Sequence, residues 1–303
     1  MSLLRTSRGQ LGLVKLFTVR RPARNSNSTL EQNAFCILIF LYMIDIAIIG
    51  SGPAGVDAAR EARKHGLTAA VIGAMPPGGR SAMGSLLPSK VWLHAASSAP
   101  RTGRDDSPKA QQITEEIRRT QGAWTSNLAR ELEQLGVAFY RGTARLASSD
   151  TVTVHSPEDE AKTDTLQAHA ILLATGSEPT FTAAVRPDGE RIIAPRHTQK
   201  MTEIPDRIVF AGGGVTGTEY ASAFARLGSA VEIFTRGETL LPRGEPAAAG
   251  FITDYLEKEL GVVIHRNQTV TDISRKDGAA VTISDNGTRV ESDYAFIATG
   301  RHP

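Results

Sequence analysis

The chain has 303 residues, enough for two domains of ordinary size, and 41% of them are apolar, enough for a core in each. Its net charge of +2 is uneven: residues 1–42 hold Arg5, Arg8, Lys15, Arg20, Arg21 and Arg24 against Glu31, leaving 28 basic and 31 acidic residues over 43–303. That acidic body gives no electrostatic support for nucleic-acid binding, and the one cysteine, Cys36, excludes an intramolecular disulfide and makes a cytoplasmic setting the default.

Residues 1–42 are predicted to be a disordered or mis-assigned leader, although a basic, acid-poor segment also fits a transit peptide. The apolar run 35–44 is too short to span a bilayer, so no membrane partner is expected. Folding is predicted to start near Met43 with a strand at 44–49, a helix at 53–65 and a strand at 68–72. A Gly/Pro/Ser-rich loop follows at 73–85. Ile113, Ile117, Trp124, Leu128, Leu132 and Leu135 give helical spacing over 108–136. Alternation at 137–146, 151–155 and 164–168 predicts an antiparallel meander, and 170–174 a buried strand. A looser stretch, 177–205, leads to a second run of the same order. It has strands at 207–211 and 230–234 and helices at 215–227 and 246–260. Short strands follow at 262–265, 269–274, 280–283 and 293–298. The chain therefore reads as a duplicated α/β module with two Rossmann-like, three-layer ββα domains: 43–190 and 191–303.

Two glycine fingerprints anchor that duplication, 162 residues apart. They are Gly50-Ser51-Gly52-Pro53-Ala54-Gly55 and Gly212-Gly213-Gly214-Val215-Thr216-Gly217. Each follows an apolar strand and opens a helix. The first glycine allows a sharp turn, the second lets a pyrophosphate approach, and the third lets the helix pack on the strand. Unpaired N–H groups at the helix start then face the phosphates, and Pro53 suits the first helical turn. Each unit closes on a similar phrase, Ala174-Thr175-Gly176-Ser177-Glu178-Pro179 and Ala298-Thr299-Gly300-Arg301-His302-Pro303. Two dinucleotides in one chain imply electrons passed between them. The seven histidines show no metal-ligand spacing. Trp92, Trp124 and the phenylalanines read as core, and Asp105-Asp106 and Glu115-Glu116 as solvated charges.

From Ile44 to Pro303 these motifs, with Gly78-Gly79 and Pro88-Ser89-Lys90, resemble the pyridine nucleotide-disulfide oxidoreductases. The resemblance implies FAD in the first unit and NAD(P)H in the second. It implies cofactor contacts at Gly50, Gly52, Pro53, Ala54, Gly55, Gly79, Arg80, Lys90, Ala144, Ala174, Thr175, Gly176, Gly212, Gly214, Val215, Thr216, Gly217, Thr235, Arg236 and Gly300. It also sets Lys90 against Glu219 beside the flavin as catalytic residues, a partly buried cation for a reduced, anionic ring and a carboxylate to balance it.

Three departures narrow the reading. The family carries two thiols where Ser81 and Leu86 stand here, and disulfide exchange requires a thiolate. The position that usually bears a ribose-binding acid is Gly73, which weakens FAD. The chain ends at Pro303, where the family pattern continues into a dimerisation domain with a His-Glu pair, so a family-type homodimer is not expected. In the second unit, Thr235 followed by Arg236 suits NADP more than NAD, with Arg243 as a further base. The expectation is a flavoprotein NAD(P)H oxidoreductase passing electrons to a small non-disulfide acceptor such as a quinone, metal ion, dye or oxygen. Two alternatives are a transhydrogenase-like exchange with another nicotinamide nucleotide and a non-catalytic nucleotide-binding member.

Overall fold

A computed structural model describes residues 2–5, 11–14, 43–98, 108–158 and 163–303. Within residues 1–42 it describes one antiparallel pairing, β1 (Ser2–Arg5) with β2 (Leu11–Val14). The remaining expectations for 1–42, Cys36 included, lie outside the described residues, as does Asp105-Asp106.

The first sheet is built around β3 (Ile44–Ile49), with β4 (Ala69–Gly73) and β5 (Ala138–Arg141) parallel on one side. On the other side lies β8 (Thr163–Leu173), eleven residues long and used twice. Its second half pairs parallel with β3, and its first half pairs antiparallel with β7 (Thr151–His155), which in turn pairs with β6 (Thr143–Leu146). The strands carry apolar residues on both faces because both faces are covered. Ile48 and Val71 pack under α1 (Pro53–Lys64) and α4 (Ala110–Gln134), while Ala47, Ala70 and Ile72 pack on the meander.

Four sequence expectations change here. The run 137–146 breaks at Gly142 into one strand of the parallel sheet and one of the meander. A Cβ at Gly142 would lie 2.4 Å from the His155 carbonyl oxygen, so the close crossing of strands admits only glycine. The loop 73–85 contains a short helix, α2 (Gly79–Met83), followed by α3 (Leu86–Ser97). The strand end at 170–173 is not buried: β7 reaches only Gln167, so beyond it β8 is paired with β3 alone among the described residues, and Leu173 is 62% exposed. Lastly, Trp124 is 42% and Phe251 74% exposed; on α4 the core turns fall to Ile113, Ile117 and Gln121.

The second sheet is wholly parallel, in the order β10 (Ile192–Ile193), β17 (Tyr294–Ile297), β11 (Arg207–Ala211), β12 (Ala230–Phe234), β13 (Val263–His265). Its meander is β14 (Val270–Lys276), β15 (Ala279–Ser284) and β16 (Arg289–Ser292). Helix α5 (Val215–Arg226) covers the other face. The helix expected over 246–260 is α-helical only over α6 (Pro246–Asp254) and widens into a π-turn at Tyr255–Glu259. Both units share one apolar cluster, in which Trp92 of α3 meets Phe224 of α5 with ring centroids 5.1 Å apart. Phe181 and Val185 also pack on the second sheet, so the chain crosses between sheets before residue 190.

Candidate active site

Each fingerprint forms a strand-to-helix corner. Gly50 has φ +124° and Gly212 φ +119°, a region that favours glycine. A Cβ at Gly50 would sit 2.0 Å from the Ala174 carbonyl oxygen, and one at Gly212 2.4 Å from that of Ala298. The turn is thus wedged against the closing phrase of its own unit. Gly55 and Gly217 serve packing: a Cβ on either would lie 1.9 Å from the carbonyl oxygen of Gly50 or Gly212. Gly52 and Gly214 behave differently. Nothing of the protein lies within 4 Å of a Cβ there, because each faces a cavity.

The first cavity is about 740 Å³. Its wall runs from the fingerprint, Gly50, Gly52, Pro53 and Ala54, past Gly79 and Arg80 to Lys90, and returns along Ala174, Thr175 and Gly176. Val215, Thr216 and Glu219 of α5 close it from the second unit. The second cavity, about 720 Å³, is lined by Gly212, Gly214, Val215, Thr235, Arg236, Arg243 and Gly300. Of the residues expected to bind cofactor, Ala144 lines neither: it lies in β6 opposite Val154, on the meander side. Gly55 and Gly217 also stand behind the cavity walls.

Lys90 of α3 and Glu219 of α5 meet across the two units, Nζ donating to Oε1 at 2.5 Å. Lys90 is more open than expected, with 52% of its side chain exposed against 28% for Glu219, since it stands on the cavity wall. Beside Glu219, Tyr220 is fully buried with its hydroxyl 3.2 Å from that of Thr198, and burial pushes its phenol well above the ordinary range.

At the end of β4, Gly73 carries no ribose-binding side chain, and the space is filled by Ser51. The Ser51 hydroxyl donates to the Met75 carbonyl at 2.9 Å, and both residues line the cavity. Further along, Ser81 and Leu86 line the cavity at the positions of the expected thiols, and no cysteine among the described residues lines it. Arg301 was missed by sequence reasoning, although its phrase was singled out. It lines both cavities, as does Val215.

A family model for pyridine nucleotide-disulphide oxidoreductases matches residues 44–303. The chain belongs to that family. It is 27% identical to an NAD(P)H dehydrogenase (quinone) of Mycobacterium tuberculosis over 276 residues, covering 85% of this chain and 56% of that one. It is 32% identical to a dihydrolipoyl dehydrogenase of Bacillus subtilis, covering 85% and 58%. Among solved structures, LpdA from M. tuberculosis superposes with a TM-score of 0.78 at 25% identity, over 86% of this chain and 59% of that one. RclA from Escherichia coli, at 24% identity and a TM-score of 0.71, shares the fold. The chain spans a little over half the length of these oxidoreductases.

The first cavity fits a dinucleotide such as FAD in this family frame. A Cβ at Gly52 would project into it, and the N-terminus of α1 faces it, which suits a diphosphate. No helix of the described residues is long and apolar enough to cross a membrane.

Proposed function

We propose that this chain is the dinucleotide-binding part of an FAD-dependent NAD(P)H oxidoreductase that delivers electrons to a small non-disulfide acceptor, with FAD held in the first cavity and the nicotinamide nucleotide in the second. The observation that carries the reading is a pair of glycine-cornered cavities that share Val215 and Arg301 in their walls, with Lys90 and Glu219 joined on the wall of the first and no thiol among the described residues along it.

FAD, when bound, supplies a ring that takes a hydride from a reduced nicotinamide and releases the two electrons to a second acceptor. The chain's own residues do the rest. Gly50, Gly52 and the start of α1 receive the diphosphate. Lys90 offers a fixed ammonium to negative charge developing nearby, and Glu219 holds that ammonium in place. Ser81 cannot attack or form a disulfide, and Leu86 offers no acid, base or sulfur. An acceptor that needs only electrons and solvent protons, such as a quinone reduced to its quinol, meets these limits. The similarity to an NAD(P)H dehydrogenase (quinone) points the same way.

In the second cavity, Thr235 directly follows β12 and brings no carboxylate to repel a 2′-phosphate, and Arg236 and Arg243 line the same cavity. NADPH is therefore the proposed donor. The test is steady-state oxidation by the FAD-loaded chain, with a benzoquinone or oxidised lipoamide as acceptor. Turnover with the quinone, none with lipoamide, and a lower KM for NADPH than for NADH are expected. Comparable lipoamide reduction contradicts the proposed acceptor class.

The bare Gly73, and a Ser51 hydroxyl already given to the Met75 carbonyl, favour one second reading, a chain that binds NADP without FAD. Thermal stabilisation by NADP alone, with no response to FAD, marks that case.

A further inference from the structure

The two closing phrases pair with each other. Strand β9 (Glu178–Pro179) runs antiparallel to β18 (Arg301–His302), with Arg301 opposite Pro179 and His302 opposite Glu178. The Thr180 amide donates to the Gly300 carbonyl at 3.0 Å, and the Thr299 hydroxyl to the Thr180 carbonyl at 2.9 Å. Arg301 reaches further back. Its Nε donates to Ser177 Oγ at 2.8 Å, and its Nη2 donates to the Ser177 carbonyl. Ser177 lines the first cavity and Gly300 the second. One guanidinium, itself lining both cavities, thereby fastens the last turn of the first unit to the last turn of the second.

A second arginine anchors the same strand pair. Arg80, on α2, donates from Nη2 to Glu178 Oε1 at 2.5 Å. Burial, and then the nearby Arg80, hold Arg301 below the usual arginine range. Two neutral oxygens on one serine are a costly set of partners for a partly desolvated charge. What the guanidinium offers in return is a rigid fork that fixes two acceptors at once.

We infer that Arg301 is a positioning residue for hydride transfer, acting through Ser177 to hold the nicotinamide cleft in register with the flavin cleft. The inference rests on the proposed occupancy of the two cavities by FAD and NAD(P)H. Hydride transfer needs its two carbon and nitrogen centres about 3–3.5 Å apart, and a misplacement of about 1 Å costs roughly a hundredfold in rate. A clasp at the junction of the clefts controls that distance without contacting either reacting atom.

The experiment compares wild type with Arg301→Gln, Arg301→Lys, Ser177→Ala and the Arg301→Gln/Ser177→Ala pair. Dissociation constants for FAD and NADP are measured by equilibrium titration, and flavin bleaching in a single turnover at saturating NADPH. Arg301→Gln is expected to slow bleaching about ten- to hundredfold, with both dissociation constants within about threefold of wild type. Arg301→Lys keeps the charge, loses the fork and stays slow. Ser177→Ala loses less, because the carbonyl acceptor remains. The double variant is no slower than Arg301→Gln, since the two residues act as one unit. Should Arg301→Gln fail to fold, Arg301→Lys and Ser177→Ala carry the same comparison. Unchanged bleaching overturns the inference, and so do additive losses or a matching loss of affinity for one nucleotide, which marks direct ligand contact. A wild-type chain that takes up no FAD sinks the flavin reading and this inference together. Normal wild-type bleaching with unaffected variants sinks the positioning role alone.

Discussion

The two glycine corners have the same backbone and opposite side chains. In both, the first glycine is wedged against the first carbonyl of the closing phrase, and the third glycine packs on the first. The pocket between the fingerprint's second residue and the end of the next strand differs. In the first corner it is filled from the fingerprint side by Ser51, opposite Gly73; in the second it is filled from the strand side by Thr235, opposite Gly213, where a Cβ would lie 2.7 Å from Thr235 Cβ. Backbone that meets a diphosphate has one workable shape, so both corners keep it. In the proposed occupancy the neighbouring side chain would meet only the ribose end, which leaves it free to change with the ligand.

The sharpest way to break that comparison is at the shared backbone. Gly50→Ala and Gly212→Ala each force a methyl into a carbonyl oxygen at positive φ. Each is expected to cost about 3 kcal/mol or more, read as a large fall in thermal midpoint. Equal stability in either variant contradicts the wedged turn.

Next come Gly52→Ala and Gly214→Ala, where backbone angles are ordinary and the space is open. Stability is expected to hold within about 0.5 kcal/mol, while each variant loses affinity for its own dinucleotide and keeps the other. Calorimetric titration with FAD and NADP checks the split; a variant that loses both ligands together contradicts two independent corners.

The side-chain difference is sharpened by Ser51→Gly/Gly73→Glu, which gives the first corner the layout of the second with a carboxylate added. A charge-assisted bond to the ribose is worth about 1.5–3 kcal/mol, so FAD should bind about ten- to hundredfold more tightly. Gly73→Glu alone gains less, because Ser51 must move first. Equal affinity in the double variant and wild type shows that the ribose end does not limit binding.

The smallest effect tests the frame that carries the first corner. Arg60 on α1 clasps Glu131 on α4 through Nε–Oε1 at 2.5 Å and Nη2–Oε2 at 2.7 Å. The bond to Arg60 holds the Glu131 carboxyl below its ordinary value. A carboxyl depressed in the folded state stabilises the fold above its unfolded pKa, and that contribution fades as pH falls through the folded value. Both side chains are about a third exposed, so water screens the pair and Glu131→Gln should cost about 0.5 kcal/mol near neutrality. The cost should disappear in acid, as midpoints measured from pH 7 to pH 3 would show.

Much of this arrangement was legible in the sequence. Strands 207–211 and 230–234 matched residue for residue, because apolar runs between a fingerprint and a turn leave little room for another reading. Lys90 and Glu219 were brought together through resemblance; their separation in sequence gives no local sign of contact. What stayed hidden depended on crossings between elements. Gly142 divides one apparent strand between two sheets because His155 passes close by, and no local pattern encodes that neighbour. Strand β8 ran together two expected strands, since alternation reports which faces are covered and not where pairing partners change. Ser51 looked like a neutral fingerprint position until Gly73 left a space for it. Arg301 sat in a recognised phrase, but its importance comes from Ser177, 124 residues earlier in the chain.

The central claim is that two nucleotides meet across one shared wall. An anaerobic absorbance titration of the FAD-loaded chain with NADPH tests it most directly. The account predicts oxidised-flavin bands that bleach with one equivalent of NADPH and return when a quinone is added. Bound flavin that keeps its bands under excess NADPH would contradict it.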